Sequence, residues 1–146
     1  MGDPTWTGNY ILYGTHRTWA KVMNEAVGAS SIMKFTGKTN VVNLNFNLGT
    51  GTNGLIMTHG GFRVYRSQFV GEDLTSAKTA LHIDGATAKH GKVVGCDFLG
   101  EGKTQMTGIL VDNCARSLFE DLRIHDCKAA IQIINTNSDD NLFHLV

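Results

Sequence analysis

The chain has 146 residues, 42% of them hydrophobic, which is enough for one domain with a sizeable buried core. Thirteen basic and thirteen acidic residues cancel to a formal net charge of zero and are spread along the chain, so the electrostatic footprint of a nucleic-acid binder is missing. No run of eighteen apolar residues exists, and the N-terminus has neither a basic region nor an apolar run of signal type, so neither a membrane span nor a secretory signal is expected.

The first thirty residues stand apart from the rest. Trp19, Val22, Met23, Ala26 and Val27 recur at i, i+3, i+4, i+7 and i+8, which predicts an amphipathic α-helix over 17–28. Thr15 or Thr18 could cap its start, and Gly28 closes it as glycines close helices. Residues 1–30 therefore read as an N-terminal strand and a helix that caps the open apolar end of whatever follows. A docking helix, with Trp6, Tyr10, Tyr13 and Trp19 on an attachment surface, is the alternative.

From residue 31 onward two short phrases alternate. One is a small residue followed by an alternating apolar pair: Gly54-Leu55-Ile56-Met57, Ala80-Leu81-His82-Ile83, Gly108-Ile109-Leu110-Val111 and Ala130-Ile131-Gln132-Ile133. In the other, inward residues fall at relative positions 1, 4 and 6: Val41, Leu44, Phe46; Val64, Ser67, Phe69; Val93, Cys96, Phe98; Phe119, Leu122, Ile124. A further copy starts at Leu142, and the copies advance in steps of 23, 29, 26 and 23 residues. Local period two means strands, and two strands per unit fit one coil of a parallel β-helix better than a propeller blade. Variation in coil length is expected in the loops Gly71 to Thr79 and Gly100 to Thr107.

The Gly/Ala-Ile/Leu-x-Ile/Val phrase followed by Asn113-Cys114-Ala115-Arg116-Ser117-Leu118-Phe119-Glu120-Asp121-Leu122-Arg123-Ile124 resembles the coils of the right-handed parallel β-helix, or pectate-lyase-like, superfamily. The resemblance covers roughly residues 30–146. It implies an all-β, right-handed parallel β-helix solenoid of about five coils over 31–146, continuing in any longer protein of which this chain is a part. That superfamily includes polysaccharide lyases, glycoside hydrolases, and the tail spikes and appendages of bacteriophages, so the fold alone assigns no activity. Pectinolytic hydrolases of this fold carry Asn-Thr-Asp, Asp-Asp, Gly-His-Gly and Arg-Ile-Lys elements in that order. Here Asn135-Thr136-Asn137, Asp139-Asp140, His59-Gly60-Gly61 and Arg123-Ile124-His125 occur in a different order and altered, and no catalytic role is carried over.

Strands stacked about 4.8 Å apart turn equivalent outward positions into columns. One column reads Thr58, Asp84, Asp112, Ile134 and places two carboxylates one coil apart, close to the roughly 5 Å of retaining glycosidases. Two carboxylates so placed could serve as an acid and nucleophile pair, and His82 would border them. The plainer reading is turn chemistry, since Gly85 and Asn113 follow the two aspartates. A second column reads Asn45, Gln68, Asp97, Arg123, beside Asn43, Arg66, Gly95, Asp121. Tyr65, Arg66, Gln68, His82, Asp97 and Arg123 are the candidate glycan-binding residues, weighed against a solvated sheet face.

Three cysteines, with Cys96 at an inward place, read as apolar filler in a chain that folds in a reducing compartment, and no metal centre or cofactor is expected of them. The chain closes on Leu142-Phe143-His144-Leu145-Val146, an apolar strand that reads as part of something larger. The expectation is a non-catalytic structural or receptor- and glycan-facing segment of a bacteriophage virion appendage, homotrimeric and assembled in the host cytoplasm. The alternatives are an extracellular polysaccharide-degrading module, hydrolase or lyase, using Asp84 and Asp112, and a carbohydrate-binding module without chemistry.

Overall fold

The computed structural model describes residues 4–16, 20–22, 31–48, 53–72, 76–101, 105–135, 138 and 140–144. Its strands come in rungs. The first rung is β1 (Thr5–Trp6), β2 (Tyr10–Tyr13) and β3 (Lys21–Val22), and the second is β4 (Ser31–Phe35), β5 (Thr39–Val42) and β6 (Asn45–Asn47). The third is β7 (Asn53–Met57), β8 (Arg63–Tyr65) and β9 (Gln68–Glu72); the fourth is β10 (Lys78–Asp84), β11 (Lys92–Val94) and β12 (Asp97–Glu101). The fifth is β13 (Met106–Asp112), β14 (Leu118–Glu120) and β15 (Arg123–His125), and β16 (Ala129–Ile134) and β17 (Leu142–His144) begin a further one. Each strand pairs in parallel with its counterpart one rung away, giving three sheets in the orders β1-β4-β7-β10-β13-β16, β2-β5-β8-β11-β14-β17 and β3-β6-β9-β12-β15. The fold is an all-β parallel solenoid, with about four full turns from β4 to β15.

Two expectations need correction. A turn holds three strands, not two, because the 1, 4, 6 phrase spans a corner: Val41, Val64, Val93 and Phe119 lie in the second sheet, and Phe46, Phe69, Phe98 and Ile124 in the third. The step of three between positions 1 and 4 is where the chain bends, at Asn43, Arg66, Gly95 and Asp121, all with φ between 47° and 63°. Each of these residues donates its backbone N–H to the next rung, to Tyr65, Val94, Glu120 and His144 respectively, so the bend repeats as a ladder. The second correction concerns the helix over 17–28. Lys21–Val22 is a strand paired with Asn45–Phe46, there is no helix among the described residues, and 17–19 and 23–28 lie outside them.

The inward residues stack on their own kind. Phe46, Phe69 and Phe98 form one column with ring centroids 5.1 and 4.8 Å apart, the second pair within 4° of parallel. Phe119 and Phe143 continue the valine column of the second sheet at 4.6 Å. In the first sheet, Leu55, Leu81 and Ile109, then Met57, Ile83 and Val111, are fully buried. The small residue that opens each phrase there has a steric cause. A Cβ on Gly54 would run into the Ala80 carbonyl, and one on Gly108 would crowd that of Ala130. The connections at 73–77 and 102–105, where variation was expected, differ little in length; the larger variation lies between the first and second sheets, at 36–38, 58–62, 85–91 and 113–117.

Candidate functional site

The corner between the second and third sheets is concave on its outer side. Its groove, about 730 Å³, is lined on successive rungs by Val42 and Asn43, by Tyr65 and Arg66, by Val94, Gly95 and Asp97, and by Asp121 and Arg123. Thr15 and His16 of the first rung line it as well. That volume falls in the range of small-ligand sites, and the groove crosses the rungs. The sequence columns explain its chemistry. The αL ladder projects Arg66 outward, while Asp97 and Arg123 are register partners in the third sheet.

Four of the six glycan-binding candidates, Tyr65, Arg66, Asp97 and Arg123, meet in this groove. Tyr65 is half-buried, Arg66 and Arg123 are exposed, and Asp97 is 8% exposed. The wall thus offers two guanidiniums, two carboxylates and an amphipathic ring, which together can grip a ligand with donors, acceptors and one apolar face. Gln68 stands one rung before Asp97, and its Oε1 accepts from Asn45 Nδ2 at 2.7 Å in a partly buried ladder. His82 lies on the first sheet, away from the groove lining. Thr15, read in the sequence as a helix cap, and His16 were missed as groove residues, because the first rung carries no copy of the repeated phrase. Gly14 N–H donates to Val42 O, which makes Gly14 the first-rung counterpart of Asn43.

On the first sheet, Asp84 and Asp112 are register partners, as the column predicts. The imidazole of His82 comes with them: Nε2 lies 3.9 Å from Asp112 Oδ2, and one ligand atom from each of the three residues lies within 4.8 Å of the others. Asp112 accepts a hydrogen bond from Asn135 Nδ2 one rung on. Thr58, at the head of the column, donates instead to Phe35 O at 3.1 Å.

The cysteines are free thiols set in the wall. Burial pushes the Cys114 thiol up, opposed by a hydrogen bond with Ser117. Cys127 is raised chiefly by burial, against a backbone hydrogen bond at Gly100 and with help from the Asp126 charge. Raised thiols are poor nucleophiles, which fits filler rather than chemistry. Among the described residues no helix is long and apolar enough to cross a membrane. No family model, curated protein or solved structure matches the chain.

Proposed function

We propose that this chain is a non-catalytic, glycan-facing segment of a β-solenoid, of the structural kind used in bacteriophage tail spikes and appendages. The observation that carries the reading is the corner groove, where Tyr65, Arg66, Asp97 and Arg123 converge from three rungs. A groove that crosses rungs suits an extended, polyhydroxylated chain, because each rung adds another set of donors and acceptors along its length. The carboxylate pair required by a hydrolase reading, Asp84 and Asp112, stands on the first sheet and not in this groove. Binding without chemistry is therefore the function that best fits the geometry.

The test is an array of capsular, O-antigen and pectic glycans. Binding to at least one class is expected, falling at least tenfold in Tyr65→Ala and Arg123→Ala and holding in Asp84→Asn and Asp112→Asn. Release of reducing ends that stops in either aspartate variant would instead make the chain a polysaccharide-degrading module.

The proposal includes assembly, as a homotrimer within a virion appendage assembled in the host cytoplasm. Ile11 and Tyr13, large side chains exposed on β2, support it. Light scattering should give three times the 15.9 kDa chain mass, and a clean monomer would contradict assembly.

A further inference from the structure

The geometry points to a divalent transition-metal site at His82, Asp84 and Asp112, on a face separate from the glycan groove and independent of that reading. The three side chains come from two adjacent strands: His82 and Asp84 point to the same side of β10, and Asp112 stands beside Asp84 on β13. Their ligand atoms already lie within 4.8 Å of one another. A tetrahedral zinc with bonds near 2.1 Å holds its ligand atoms about 3.4 Å apart, so modest side-chain rotations close the set.

The His82 ring supplies an observation of a different kind. Its Nε2 is shielded from solvent and has no hydrogen-bond partner, although it faces Asp112 Oδ2 at 3.9 Å. A buried ring nitrogen without a partner costs free energy, and a cation at that point would take up its lone pair. The same cation would relieve the repulsion between two carboxylates held one rung apart. Asn135 Nδ2 donates to Asp112 Oδ1, which fixes that carboxylate from behind and leaves Oδ2 turned toward His82.

The donor set selects the metal class. One imidazole and two carboxylates suit zinc, manganese or iron(II) better than calcium or magnesium, which take oxygen donors only. Three protein ligands leave a position open to water or to an external donor. Because the ligands come from neighbouring turns, the metal would staple two rungs of the solenoid together.

The experiment is a zinc chloride titration of the metal-stripped full chain, followed by calorimetry and by the long-range ¹H–¹⁵N spectrum of the imidazole rings. We expect one zinc per chain, a shift of the His82 Nε2 resonance, and a higher unfolding temperature in excess zinc. His82→Gln and Asp112→Asn should each lower affinity at least tenfold, and Asn135→Ala, which removes no ligand, by roughly tenfold to a hundredfold. Zinc that shifts only the exposed His59, His90, His125 or His144, or that binds the His82 and Asp112 variants as well as the parent chain, overturns the site. So does the absence of stoichiometric binding.

Discussion

Arg66 is a residue whose backbone and side chain want different things. It occupies the αL region, with φ of 47°, at a corner where neighbouring rungs place Asn43, Gly95 and Asp121. Asn, Asp and Gly tolerate that conformation, whereas a long side chain with a Cβ is held there at a cost of roughly 1–2 kcal/mol. Strain of this kind concentrates where a side chain has work to do, and here the guanidinium lies in the groove wall. Arg66→Gly should therefore raise stability by about 1 kcal/mol in urea denaturation while reducing glycan binding at least tenfold. A variant that loses stability and keeps its binding would show that Arg66 serves the fold alone. The residue type at this corner was readable in the sequence as a column, but its φ was not, because nothing local distinguishes Arg66 from an extended outward residue.

At the scale of elements, what the sequence disclosed and what it concealed have the same origin. Phe46, Phe69 and Phe98 are visible as a repeating inward residue, and they stack as that repeat implies. The corner between the second and third sheets is hidden inside the same phrase, since a bend of two residues looks like a skipped inward position. The strand at Lys21–Val22 was obscured for a related reason. Val22 belongs to the apolar column headed toward Phe46, and pairing with β6 overrides the helical spacing of its neighbours in sequence. Nor does the aromatic cover of the first rung need a helix in the described residues: Trp6 meets Tyr10 edge-on at 5.4 Å, and both lie against the fully buried Phe35. The energetic weight of the columns is testable. Phe69, fully buried between two stacked rings, should cost about 3–5 kcal/mol when replaced by Ala. Phe143→Ala, at a half-buried ring stacked on Phe119, should cost clearly less in the same denaturation assay. Equal losses would mean that the columns do not carry the stability.

At the scale of the whole molecule, a solenoid presents its sheets and corners as long, separate faces. Asp84 and Asp112 were foreseen as neighbours because register in a parallel ladder follows from the repeat alone. The groove was not foreseen, because its concavity depends on how corners of several rungs superpose, and on Thr15 and His16 from a rung that carries no copy of the phrase. Two faces with distinct chemistry follow: a mixed-charge corner groove that crosses the rungs, and a carboxylate-imidazole cluster on the first sheet. The measurement that separates them is backbone amide chemical-shift mapping of the labelled chain, titrated with the strongest glycan from the array. The account predicts perturbations centred on Tyr65, Arg66, Gly95, Asp97, Asp121 and Arg123, with the amides of His82, Asp84 and Asp112 unmoved. Perturbations confined to His82, Asp84 and Asp112, or none in the corner groove at saturating glycan, would contradict it.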